Sequence, residues 1–293
     1  MKHYIYIFIL LTSCNSIPPQ VHIVNNFPYT INLKGNEITS FDNELGIMGL
    51  YVTDNYFLCS SHRTEFHFSV YSKDSIAKII NLCKQGRGPG EFISPMYFSQ
   101  YQIENEETKI WVLDRGTSTF YLINIEQSIR MQNTYIEKSF SLLDYNRQSF
   151  RDAYYLNDST LFGTEDYKEC RYLYINTKDT TIKNVDTSIK FTNDYDPFPI
   201  AQKLSTINPQ NKCIASAYFS FPQIDLINNS GEILKTIVYK EYINPRQVTL
   251  LQANEEYYSA ICSDQHYIYA LYNRENNLVD EIKTESSIFV FSW

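Results

Sequence analysis

Five strand–turn–strand units at a near-constant interval, a composition rich in aromatic residues and the lack of any long helical period predict an all-β fold, a β-propeller of four-stranded blades. The second strands of the units begin at Asn55, Lys109, Thr160, Lys212 and Tyr267, which are 54, 51, 52 and 55 positions apart. A fixed period of this size, filled with short strands, marks a radial repeat. The 293 residues are 43% hydrophobic and 15% aromatic, with 25 tyrosines and 18 phenylalanines. That is ample for a packed core, and aromatic side chains suit pleated surfaces.

The first element is a leader. Lys2 precedes the apolar run Tyr4 to Leu11, and Thr12-Ser13-Cys14 follows. A basic start, a short apolar run and small residues describe a secretory signal. Leu11-Thr12-Ser13-Cys14 resembles the bacterial lipobox, which implies lipidation at Cys14 and a protein anchored to the cell envelope rather than spanning a membrane. The competing reading is a buried first strand that ends in cysteine. Residues 1–14 are then a signal peptide, 15–20 a tether and 21–293 a single propeller domain. Nothing after residue 14 approaches the apolar length of a spanning helix. The formal charge of −8 argues against nucleic acid and against a polybasic membrane patch. Cys59, Cys83, Cys170, Cys213 and Cys262 form no CxxC pair. They read as small core hydrophobes, with a Cys59–Cys83 bridge left open.

Within the repeat, the second strands are Asn55 to Cys59, Lys109 to Leu113, Thr160 to Thr164, Lys212 to Ser216 and Tyr267 to Leu271. Tight polar turns precede most of them, such as Asn157-Asp158-Ser159 and Ser263-Asp264-Gln265, built from residues that tolerate turn geometry. Third strands follow at Phe66 to Tyr71, Thr119 to Ile125, Tyr172 to Asn176, Gln223 to Asn228 and Ser287 to Trp293. Fourth strands are expected in four units, among them Ser75 to Leu82 and Glu232 to Lys240. The crossing from Gln85 to Pro95 joins one blade to the next. Gly86, Gly88 and Gly90 let its backbone turn, and Pro89 stiffens it.

Gly88-Pro89-Gly90-Glu91-Phe92, then Pro95, then Ile110-Trp111-Val112-Leu113-Asp114, resembles the NHL-type propeller repeat. The longer run Lys84 to Phe92, behind a lipobox, is similar to the TolB-like six-bladed propeller lipoproteins of Bacteroides-type bacteria. The resemblance is sharp from about Asn55 to Asn124. It implies a fold and an envelope address, and little chemistry. The expected form is a six-bladed propeller with its last blade or blades incomplete. The alternative is a closed five-bladed ring, with Val21 to Leu33 supplying the missing outer strand.

One face of such a ring carries the long loops: those joining second to third strands and those joining blade to blade. Long loops on a rigid scaffold are where binding concentrates. Seven of nine arginines fall there: Arg63, Arg87, Arg115, Arg147, Arg171, Arg246 and Arg274. One reading is capture of carboxylates, phosphates or sugars, with Tyr167, Tyr218, Phe219 and Phe221 stacking on the ligand. The other is that each arginine pairs with a neighbouring acid. The candidate ligand residues are Arg63, Arg87, Glu91, Asp114, Arg115, Arg171, Tyr218 and Arg274.

Catalytic signals are sparse. His62 and His67 flank Glu65, but zinc wants three or four ligands. Asp194-Tyr195-Asp196 is too thin for a calcium loop. Glu241, Glu255 and Glu256 define no glycosidase pair. No helix follows the glycines to receive a phosphate, and there is no GxSxG elbow. No metal and no cofactor is expected, and no catalytic residue is named. The expectation is a binding or protein-interaction module whose long-loop face takes a protein, peptide or glycan. A propeller hydrolase or lyase acting on a glycan or small molecule at the same face is the alternative, and a purely structural subunit is a third possibility.

Overall fold

The computed structural model describes residues 19–35, 46–62, 64–142, 150–165, 170–179, 181–185, 198–243, 255–276 and 286–293. A short strand, β1 (Val21–Val24), precedes five antiparallel units. The first sheet is β2 (Ile47–Val52), β3 (Tyr56–Ser61), β4 (Phe66–Ser72) and β5 (Lys78–Lys84). The second is β6 (Pro95–Glu104), β7 (Glu107–Asp114), β8 (Thr119–Asn124) and β9 (Ile136–Ser141). The third is β10 (Phe150–Asn157), β11 (Thr160–Glu165), β12 (Tyr172–Asn176) and β13 (Ile182–Val185). The fourth holds β14 (Lys203–Ile207), β15 (Ile214–Tyr218), β16 (Gln223–Ile227) and β17 (Ile233–Tyr239), and the fifth β18 (Glu255–Ser263), β19 (Tyr267–Asn276) and β20 (Ser287–Ser292).

The architecture is the all-β propeller that the repeat predicts, with five blades. Within each unit from β2 to β20 the strands run in sequence order from inner to outer, because short connections pair neighbours. Alternation puts one residue in two on each face, so adjacent sheets share cores. Leu58, Phe68, Val70 and Leu82 of the first sheet meet Tyr97, Ile110, Val112 and Ile123 of the second. Equivalent clusters join the second sheet to the third, the third to the fourth and the fourth to the fifth.

Three features depart from expectation. First, β1 does not complete the fifth sheet, as the five-bladed alternative required. It lies parallel on β17, with Val21 opposite Thr236 and Val24 opposite Tyr239, as a fifth strand of the fourth sheet. Phe27 then wedges between that sheet and the next, its ring 4.5 Å from Phe289 and 5.8 Å from Tyr239. Second, a helix, α1 (Ile125–Met131), links β8 to β9. The Asn124 side chain caps it by accepting from the Gln127 backbone N–H, and Gln132 ends it in the left-handed region. Third, a one-turn helix, α2 (Phe198–Ala201), leads into β14. The sheets are also locked by side chains. Gln100 donates to the Tyr155 carbonyl at 2.6 Å and accepts from the Tyr155 N–H at 2.7 Å. Its amide thus imitates one rung of a strand ladder between the second and third inner strands. Cys59 and Cys83 are separate thiols, so no bridge joins them.

Candidate functional site

The second-to-third-strand loops and the blade-to-blade crossings share one end of the ring, the mouth, and the order of the strands makes this unavoidable. The best defined part of the mouth is the crossing between β5 and β6. It closes on itself: Gly86 N–H donates to the Phe92 carbonyl at 3.0 Å and Phe92 N–H to the Lys84 carbonyl at 2.9 Å. Gly90 sits at φ +77°, a conformation other residues resist. At Gly86 a Cβ would stand 1.9 Å from a Glu91 carboxylate oxygen, which itself accepts from the Gly88 N–H at 2.8 Å.

Asp114 belongs to this frame. It is fully buried and accepts three backbone N–H groups, from Ile93 (3.0 Å), Ser94 (2.8 Å) and Gly116 (2.9 Å). Arg115 braces the next blade, donating to the carbonyls of Phe150 (2.5 Å) and Arg151 (2.6 Å). Arg151 in turn donates to Gln202 at 3.0 Å, ahead of the fourth sheet. Arg171 pairs with the buried Glu165 at 3.4 Å. Tyr218 is buried and donates its hydroxyl to Asp225 at 3.1 Å. Glu91 lies 3.8 Å from the Lys84 ammonium. Arg87 is exposed and, among the described residues, makes no hydrogen bond or ion pair. Arg63, Arg147, Arg246, Tyr167 and Cys14 lie outside the described residues. Arg274 is in β19 rather than a loop, since that strand runs on to Asn276, and its side chain lies outside the described set.

Beneath the mouth, between the third and fourth sheets, lies a polar cluster that the sequence reading missed. Lys203 opens β14 and is fully buried. Its ammonium donates to the Ala201 carbonyl at 3.1 Å and stands over the rings of Tyr172 and Tyr218, 5.1 and 4.9 Å from their centroids. Burial pulls the Lys203 pKa down to about 8, against the opposing pull of Cys170, Asp225 and Asp152. Asp225 is equally buried and accepts from the hydroxyls of Tyr172 (3.0 Å), Tyr218 (3.1 Å) and Thr236 (2.9 Å). Burial also raises Asp152, which accepts from the Thr164 N–H at 3.1 Å.

Strand register explains why these groups meet. Ser205, Ser216, Asp225 and Thr236 occupy one cross-strand row of the fourth sheet. Asp152, Thr164 and Tyr172 form the matching row of the third. Neighbours within the fourth-sheet row, Ser205 and Ser216, lie 3.0 Å apart, and the facing row brings Thr164 within 3.5 Å of Ser205. The signal in the sequence was polar residues at core-facing positions of four consecutive strands. Only the register aligns them, and no local sequence pattern sets it out.

His62 and His67 have ring centroids 5.9 Å apart. His67 is buried, and burial depresses its pKa. Among the described residues no three His, Cys, Asp or Glu side chains converge, and no helix is long and apolar enough to cross a membrane.

A family profile described as TolB-like 6-blade propeller-like matches residues 48–293. No curated protein matches. Solved structures similar to the chain include a member of the duf4221 family from Bacteroides vulgatus, at 14% identity, TM-score 0.49, 84% of this chain and 78% of that one. Hydrazine synthase of Kuenenia stuttgartiensis matches at 10% identity and TM-score 0.45, over 89% of this chain, which spans 66% of the other's length. Virginiamycin B lyase from Staphylococcus aureus matches at 15% identity and TM-score 0.43, over 86% and 71%. Likeness at this level carries no argument about activity.

Proposed function

The chain belongs to the TolB-like 6-blade propeller-like family, and from that premise we propose a binding module, anchored to the cell envelope through a lipid on Cys14, that takes an anionic peptide, glycan or protein at the mouth. One observation carries this reading: the guanidinium of Arg87 is exposed and, among the described residues, unengaged on a crossing that is otherwise tied down. Asp114 and Glu91 hold the loop's backbone, so a ligand meets a preorganised cation and the cost of ordering the loop is already met. An arginine fork suits carboxylate, phosphate or sulfate oxygens. Arg115 and Arg171 serve as braces, so they shape the mouth rather than lend it free charge.

Screening the full chain against arrays of anionic glycans and acidic peptides tests the reading. The signal is expected to fall in Arg87→Ala and to survive in Arg87→Lys at reduced strength. Equal binding by wild type and Arg87→Ala would end the assignment of the mouth. Labelled palmitate is expected on the wild type and not on Cys14→Ser; label retained by that variant would remove the anchor.

A second reading, a hydrolase or lyase working at the same end, is favoured by the buried Lys203 amine beside Asp225. A lysine with a depressed pKa is a nucleophile or base near neutral pH. Turnover of any arrayed substrate that is lost in Lys203→Met but kept in Arg87→Ala would select it.

A further inference from the structure

Arg151 is the odd residue of the third sheet. The pairing of β10 with β11 sets Phe150 opposite Glu165 and then Asp152 opposite Thr164, so Arg151 is left over as a bulge. A bulge interrupts the alternation of faces and re-aims one side chain. This one stands at the mouth end of an inner strand, because β10 enters its sheet from the blade-to-blade crossing. Arg115 of the second sheet holds it there, donating to the carbonyls of both Phe150 and Arg151. Arg115 is thus committed to the backbone, and Arg151 is what it positions.

The re-aimed guanidinium is half-buried and reaches toward the fourth sheet. Its described partner is a neutral group, the Gln202 amide oxygen at 3.0 Å. Gln202 is itself fixed. Its carbonyl accepts from the Phe219 N–H at 2.9 Å, and the Phe219 carbonyl accepts from the Tyr257 N–H at 2.8 Å. Among the described residues no carboxylate pairs with Arg151. The nearby acids are engaged elsewhere: Asp152 by the Thr164 N–H, Glu165 by Arg171 and Asp225 by three hydroxyls. The buried Lys203 ammonium lies close enough for Arg151 to repel it. In a chain of net charge −8, four cations (Arg115, Arg151, Arg171 and Lys203) here meet three described acids. A half-buried guanidinium without a counter-ion is costly, and a bound anion with charge-assisted hydrogen bonds relieves that cost.

We propose that Arg151 is a second anion subsite of the mouth, where the seam of the third and fourth sheets takes one oxyanion of the ligand, a carboxylate, sulfate or phosphate. The inference rests on the binding reading above and deepens it. Arg87 lies on the crossing between the first and second sheets and Arg151 at the seam of the third and fourth. A ligand that uses both carries at least two separated anionic groups and is not a single small acid. The bulge and the Arg115 brace hold the Arg151 backbone before the ligand arrives, so little remains to be ordered on binding.

NMR of the guanidinium N–H groups tests this, with the full chain labelled at arginine and titrated with inorganic phosphate, sulfate or acetate. The Arg151 signal, identified by its loss in Arg151→Lys, is expected to shift and saturate, and the anion that saturates it first names the oxyanion. Phosphate should also raise the thermal midpoint of the wild type, and Arg151→Gln should need at least about tenfold more phosphate for the same rise. Arg151→Lys should fall between them, because an ammonium keeps the charge and loses the planar fork. An Arg151 signal indifferent to all three anions, or an equal rise in Arg151→Gln, would overturn the subsite and leave the Arg87 reading standing. A response at Arg151 that persists in Arg87→Ala is expected. If array binding is also unchanged in that variant, the Arg87 reading falls and the subsite stands.

Discussion

The seam between the first and second sheets is apolar throughout its buried cluster, whereas the seam between the third and fourth is apolar in one half and polar in the other. The first is filled by Leu58, Phe68, Val70, Leu82, Tyr97, Ile110 and Val112. The second has an apolar half, Tyr154, Phe162, Ile207, Ile214 and Ile227. Its other half, toward the mouth, is the network of Asp152, Ser205, Ser216, Asp225 and Lys203. An apolar seam is held by area and packing, and it tolerates exchange among residues of like volume. A polar seam is held by complete pairing, and removing one member strands the rest. The ring therefore fails differently on its two sides. The polar side is also where a buried amine has stayed close to the mouth.

Substitutions sharpen that contrast. Asp225→Ala should have the largest effect, a loss of about 3–5 kcal/mol, because it leaves Lys203 uncompensated and three hydroxyls without an acceptor. Chemical denaturation measures it; a loss below about 1 kcal/mol would mean that water or a neighbour replaces the carboxylate. Leu58→Ala, in the apolar seam, should cost about 2–5 kcal/mol through a cavity. The same method should find that cost unchanged with pH, since no titrating group changes partner. Arg87→Ala, on the crossing above that seam, should leave the midpoint within about 0.5 kcal/mol of wild type. A larger shift would show that Arg87 braces the ring, as Arg115 does.

How much of this was legible in the sequence follows from which contacts are local. β12 begins and ends at Tyr172 and Asn176, as expected, because a period of two and polar turns are written within one unit. The parallel docking of β1 on β17 joins residues more than two hundred positions apart, and no local pattern encodes it. The seven residues of α1 are too few to show a helical period, although Asn124 was a readable cap. Arg87, Arg115 and Arg171 lie on loops between described strands and Arg274 lies within β19, and no local pattern shows what a guanidinium pairs with. Arg115 spends its guanidinium on backbone carbonyls of the next blade, not on an acid or a ligand. Asp114 looked like a ligand group and is a fully satisfied loop anchor. Lys203 was passed over because a lysine at the start of a strand is ordinarily solvated.

Unfolding free energy measured from pH 7 to pH 10, for wild type and Lys203→Met, bears most directly on the polar seam. Lys203 has a folded pKa of about 8 against an ordinary 10.5, so between those values the unfolded chain binds the extra proton. Burial raises the Cys83, Cys213 and Cys262 thiols and several tyrosines, which lowers the stability of both proteins as pH rises, so the lysine is read from the difference: the wild type should gain on the variant from about pH 8 toward 10, by at most about 3 kcal/mol. Lys203→Met should lack that relative gain and should exceed the wild type at pH 7, by about 1–4 kcal/mol if apolar packing replaces the buried ion well. Parallel profiles for the two proteins would contradict a buried amine in this seam.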